Sequence, residues 1–135
     1  MQTRQSGFTL IELIAVLVII GILAATAVPR FIDLTSEAHE AAIESLANSI
    51  ESASALNHAV DIATEAGLTS DAFVNITNCN LGGQLLAGGL PANFTIDALA
   101  VGDKESVTCT VRNQKTTPNK TATFVMIGTD GYTAP

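Results

Sequence analysis

The chain has 135 residues with 13 acidic and 6 basic side chains, a formal net charge of −7. That balance excludes a nucleic-acid binder, whose affinity comes from basic side chains displacing counterions, and a polybasic grip on anionic lipid. The length suits one small domain with additions.

Residues 1–7 read MQTRQSG, a short polar stretch made positive by Arg4. From Phe8 to Val28 follow 21 residues, FTLIELIAVLVIIGILAATAV, with Glu12 as the single charge. As a helix this run is about 31 Å long, close to the hydrocarbon thickness of a bilayer. Arg4 favours a cytoplasmic N-terminus, and Arg30 just past the span weighs slightly against it. The stretch Ala24-Ala25-Thr26-Ala27 imitates the cleavage site of an ordinary secretory signal. The leading region would then contain Phe8 and the acid Glu12, and helical periodicity continues beyond Pro29, so that reading fits poorly. With an N-terminus directed to a membrane, Cys79 and Cys109, 30 positions apart, read as one disulfide formed outside the cytoplasm. The alternative is two buried thiols. Closing a loop of that length is worth roughly 3–4 kcal/mol in the chain-entropy model.

An ionisable group inside a membrane span is costly and points to function. Glu12 has no Lys or Arg within helical reach on its C-terminal side. A cut after Gly7 would give Phe8 a new α-amine one helical turn from Glu12, able to pair with it in the same chain or in a neighbour. The competing reading is a glutamate that snorkels to the interface.

Gly21 and Ala25 give a small-xxx-small spacing that permits close helix approach, a spacing also met by chance in apolar helices. Pro29 is expected to kink or end the helix near Val28. Beyond it the pattern becomes amphipathic: Ile43, Leu46, Ala47, Ile50, Ala53, Leu56, Val60 and Ala63 mark one face, and Gly67 is the expected stop. Glu37, Glu40, Glu44 and Glu51 form an acidic stripe, read as a solvated face, with docking of a neighbour's basic residues as the other possibility. His39 and His58, 19 residues apart, do not suggest a shared site.

From Thr69 onward the composition shifts to Thr, Asn and Gly. Alternating stretches at 73–77, 106–112 and 122–127, with a shorter one at 94–96, predict three or four antiparallel strands packed on the amphipathic helix. Cys79 falls in the first loop and Cys109 in mid-strand. About 69 residues cannot bury a generous core alone, so the helix must supply a layer. Asp103 and Glu105 beside Lys104 read as a solvated turn rather than a calcium site. The bases Lys104, Arg112, Lys115 and Lys120 sit in this region. They read as surface solubility, with complementarity to the acidic stripe of a neighbour as the alternative. No nucleophile–base pair, metal-ligand cluster or phosphate loop can be assembled, so neither an enzyme nor a cofactor is expected.

The segment Gly7-Phe8-Thr9-Leu10-Ile11-Glu12 resembles the prepilin cleavage and methylation motif of type IV pilins and pseudopilins. The likeness covers residues 1 to about 35, with the basic leader, the Gly–Phe junction, the glutamate and the apolar run ending at Pro29. It implies cleavage after Gly7 and methylation of the Phe8 amine by a prepilin peptidase, with Glu12 neutralising the amine of an adjacent subunit during assembly. It implies a division into leader 1–7, membrane or filament-core half-helix 8–28, amphipathic half-helix 29–66 and β-rich head 67–135, an α+β pilin-like fold. The partners implied are identical subunits, minor pilins and an assembly platform in the inner membrane, with a surface filament as the destination. Arg30-Phe31-Ile32-Asp33-Leu34 and the short head with one cysteine pair resemble, more loosely, the mannose-sensitive haemagglutinin type of pilin, which implies surface attachment and biofilm formation. A pseudopilin of a secretion or DNA-uptake machine, or a minor pilin, shares the N-terminal motif. The major secretion pseudopilin usually has clustered acids near its C-terminus, where this chain has only Asp130.

Overall fold

The computed structural model describes residues 7–129, apart from the side chains of Pro29 and residues 31–33. The leader residues before Gly7, and Asp130, lie outside the described residues. The chain forms two compact units, one through Glu37 and one from Ala38. In order come α1 (Leu10–Glu65), a short 3-10 helix (Cys79–Leu85), and strands β1 (Phe94–Ile96), β2 (Ser106–Asn113) and β3 (Lys120–Ile127). The fold is α+β: a long N-terminal helix and a small antiparallel sheet.

The helix does not end near Val28; it continues through Pro29 as one element. Proline at position 29 removes one donor, the one that would bond the Ala25 carbonyl. The hydrogen bonds on either side carry the element past that gap. At its C-terminus α1 is closed by a Schellman motif. Gly67 adopts φ 70°, Gly67 N–H donates to Thr64 O at 3.0 Å, and Leu68 N–H donates to Ala63 O at 2.9 Å. A left-handed residue is needed there, and glycine takes that conformation without a Cβ penalty.

The sheet has order β1-β2-β3, antiparallel throughout. Phe94 pairs with Asn113 and Ile96 with Val111; Ser106 pairs with Ile127 and Cys109 with Phe124. Along β2 and β3 every second side chain points inward, so Cys109, Val111, Phe124 and Met126 are buried together with Ile43, Ala47 and Ile50 of α1. The disulfide Cys79–Cys109 joins the start of the 3-10 helix to mid-β2, with the two Cα atoms 5.8 Å apart.

Two expectations need correction. The stretch 73–77 is not a strand: only Ile76 pairs, in an isolated bridge with Thr129. The backbone of Val74 is occupied by a side chain instead. Asn57 accepts from Val74 N–H and donates to Val74 O, each at 2.8 Å, so no ladder can form there. The second correction concerns the buried helix face. Leu56, expected inside, is 70% exposed. Beyond Ile50 the face toward the sheet is polar: Ser54 and Asp61 are buried and Asn57 is half-buried. The apolar pattern drifts off that face because the sheet edge there presents backbone groups, which need polar partners. Gly82 and Gly83 lie within the 3-10 helix.

Gly128 passes directly against the Gly102 carbonyl, where an added Cβ would collide with backbone; Gly88 faces open space. Gly128→Ala should therefore lower the stability of the full chain by about 1–3 kcal/mol, while Gly88→Ala leaves the thermal midpoint nearly unchanged. Replacing both Cys79 and Cys109 by Ser should cost roughly 3–4 kcal/mol in denaturant unfolding, without abolishing the Ser106–Ile127 hairpin seen by far-UV spectroscopy.

Candidate processing and assembly segment

Gly7, Phe8 and Thr9 precede the helix and have no regular structure. Gly7 is exposed with nothing near its Cα, and Phe8 is 84% exposed. Thr9 is the N-cap of α1, and Glu12 stands three residues on. Thr9 N–H and Thr9 Oγ1 both donate to Glu12 Oε2 at 2.8 Å, and Glu12 N–H donates to Thr9 Oγ1 at 3.4 Å. This is a capping box, in which two otherwise orphaned backbone donors are satisfied reciprocally. Its sequence signal, Thr9-Leu10-Ile11-Glu12, is plain, but a search for a cationic partner of Glu12 passes over it. In the chain before any cut, a neutral neighbour holds the carboxylate.

Leu10–Val28 is apolar and long enough to cross a membrane, with mean hydropathy 2.7 over 19 residues, and none of it is buried. Leu10, Ile11, Leu17 and Leu23 are each more than 60% exposed. Exposure on all sides of so apolar a helix is unfavourable in water at roughly 25 cal/mol per Å², so the segment requires lipid or protein around it. Gly21 has open space where a Cβ would stand. Thr26 turns its hydroxyl back onto Leu23 O at 3.0 Å, which hides its polarity from an apolar neighbour.

In the second unit the bases Lys104, Arg112 and Lys120 each pair with an acid of the same chain. Lys120 Nζ donates to Glu40 Oε2 at 3.0 Å, Lys104 Nζ to Glu65 Oε2 at 2.7 Å, and Arg112 Nε to Asp97 Oδ1 at 2.8 Å. The Arg112 guanidinium holds the Asp97 carboxyl below the usual carboxylate range, and Glu65 raises the Lys104 ammonium. Glu51 accepts from Val125 N–H at 2.8 Å. The acidic stripe is thus partly tied down by the same chain's head, which leaves less of it to meet a neighbour. Glu105 Oε2 accepts from Gly102 N–H at 3.2 Å and closes the turn. Among the described residues, no three His, Cys, Asp or Glu side chains are grouped to hold a metal.

Comparison with known proteins bears on the N-terminal part. Residues 2–28 match the family described as "Prokaryotic N-terminal methylation motif". The chain is 57% identical over 53 residues to the type IV narrow pilus major component PilA5 of Thermus thermophilus, covering 39% of this chain and 46% of that protein. It is 42% identical over 79 residues to the type IV major pilin protein PilE of Neisseria gonorrhoeae, covering 55% and 47%. It is 47% identical over 51 residues to the type IV major fimbrial protein FimA of Dichelobacter nodosus, covering 38% and 32%. The chain spans less than half the length of each of these relatives. No solved structure matches it. The N-terminal helix region is therefore similar to that of type IV major pilins and carries their methylation motif.

Proposed function

We propose that this chain is a structural subunit of a type IV pilus. The observation that carries the reading is the wholly exposed apolar segment Leu10–Val28 with an acid, Glu12, one turn into it. A lone water-soluble protein has no use for such a segment, whereas a subunit that moves from bilayer to filament has one solvent for it in each place. The likeness to named major pilins over the same residues supports the reading.

On this proposal a prepilin peptidase cuts between Gly7 and Phe8 and methylates the Phe8 amine. Gly7 and Phe8 lie exposed and outside the helix, as a peptidase substrate needs. Glu12 then exchanges its Thr9 contacts for the Phe8 amine of a neighbouring identical subunit. The division of labour is leader 1–7, core half-helix 8–28, amphipathic half-helix 29–66 and head 67–135, with Pro29 at the junction of the two halves. Before assembly the chain sits in the inner membrane with its N-terminus cytoplasmic; afterwards it is extracellular, joined by minor pilins. The stretch Arg30–Leu34, with its loose likeness to mannose-sensitive haemagglutinin pilins, favours surface attachment as the filament's task.

Glu12→Val should leave membrane insertion intact and reduce incorporation into sheared filaments by roughly tenfold or more, because an ammonium left unpaired among apolar helices costs several kcal/mol; normal pilus yield would overturn the role given to Glu12. Mass spectrometry of the sheared fraction should find a dominant N-terminal peptide beginning at methylated Phe8. Processed protein confined to the cell envelope would instead indicate a pseudopilin or scarce minor pilin, and a chain still starting at Met1 would exclude both.

A further inference from the structure

The acidic stripe of α1 is answered unevenly by its own head. Lys120 Nζ holds Glu40 at 3.0 Å, and Val125 N–H donates to Glu51 at 2.8 Å. Glu44, between these two, is exposed and has neither a hydrogen bond nor an ion pair among the described residues. It borders an open cleft of about 490 Å³ between α1 and β3, lined also by Ala47, Asn48, Thr121, Ala122 and Thr123. Successive strand residues turn their N–H groups to opposite edges, so Thr121 and Thr123 serve the same edge as Val125 and Ile127. Val125 and Ile127 find Glu51 and Ser54 there. The N–H groups of Thr121 and Thr123 find no acceptor among the described residues.

The bases leave a remainder of the same size. Lys104, Arg112 and Lys120 are each paired within the chain. The second unit's remaining base, Lys115, is exposed and has no acid partner among the described residues. Its backbone is firmly set. Lys115 N–H donates to Oδ1 of the buried Asn113 at 3.0 Å. Thr116 Oγ1 donates to Asn113 O at 3.2 Å and accepts from Lys120 N–H at 2.7 Å. Lys115 stands with Ala92, Asn93 and Gln114 beside the start of β1, whereas Glu44 borders β3. The sheet order is β1-β2-β3, so the unmatched base and the unmatched acid lie toward opposite edges of one head.

We propose that Lys115 of one copy pairs with Glu44 of the next, with the β2–β3 turn of the first seated in the cleft between α1 and β3 of the second. The inference rests on the filament function proposed above and names the contact by which neighbouring heads meet. Charge complementarity selects the occupant, since a second copy brings to Glu44 the one base that its own head leaves unpaired. The same turn carries backbone carbonyls that can accept from the Thr121 and Thr123 N–H groups. A turn already fixed by Asn113 and Thr116 loses little freedom on docking. The two surfaces differ, so the contact is heterologous; it leaves a free surface on each copy and repeats along a filament. One exposed ion pair contributes little by itself. Repeated at every subunit, it sets register and rejects dockings that bring like charges together.

The test treats sheared filaments with a water-soluble carbodiimide, which condenses a carboxylate with an ammonium in contact with it, and maps the linked peptides by mass spectrometry. The same chain dispersed in neutral detergent is the reference. The intrachain pairs Lys120–Glu40 and Lys104–Glu65 should link in both samples. A Lys115–Glu44 link should appear in filaments and be absent in detergent. Glu44→Lys should lower the yield of sheared filament roughly threefold, the loss expected for one reversed surface pair, and adding Lys115→Glu should restore it. Filaments that link the intrachain pairs but not Lys115 to Glu44, or that link Glu44 to a lysine of another protein, would overturn this contact and leave the filament function standing. A double variant no better than Glu44→Lys alone would do the same. A parent strain that yields no sheared filament of this chain would overturn both.

Discussion

Val125 N–H donates to Glu51 and Ile127 N–H to Ser54, and these two bonds along the free edge of β3 govern much of the second unit. A three-stranded sheet has one face to bury and two edges to protect. α1 meets both needs at once, placing Ile43, Ala47 and Ile50 over the face and side-chain acceptors along the edge. Because the acceptors Glu51 and Ser54 follow the apolar residues along the helix, it turns polar toward its C-terminus. That is why Ser54, Asn57 and Asp61 point where the apolar pattern leads one to expect carbon. A secreted or displayed head with a covered edge is also protected from strand-to-strand aggregation.

The first unit obeys a different constraint. Its span Leu10–Val28 is apolar and exposed, and at the start of that span Thr9 and Glu12 bond each other. A carboxylate already bonded to two donors is easier to carry through a bilayer than a bare one. The same arrangement keeps Glu12 at the helix N-terminus, where the macrodipole favours an anion.

Much of this was legible from composition and periodicity. The apolar run, the glutamate within it, the stop at Gly67 and the two long strands of the hairpin all follow from patterns of one or two residue types. The pairing of Cys79 with Cys109 follows from there being only two cysteines in a chain directed to a membrane. What escaped is what depends on backbone groups finding side-chain partners far away. The pattern at 73–77 alternates like a strand, yet Asn57, sixteen or more residues earlier in sequence, takes the bonds a ladder would need. Leu56 fits the helical spacing but points outward, since spacing reports a face and not what that face meets. Nothing in the pattern of residue types singles out Asp61; its burial does. The intrachain pairs Lys120–Glu40 and Lys104–Glu65 span 80 and 39 positions, beyond the reach of any local rule.

On the function proposed above the chain is a mechanical part as well as a chemical one, and the Cys79–Cys109 bond determines which portion of the head can be drawn out under tension. Thirty positions separate its ends, roughly 100 Å of contour at full extension. A load arriving from α1 crosses this segment through sulfur instead of along the backbone. The 3-10 helix, β1 and β2 up to Thr108 then lie in a closed loop that carries no force, while the strain enters the hairpin at Cys109 and runs through the rest of β2 into β3.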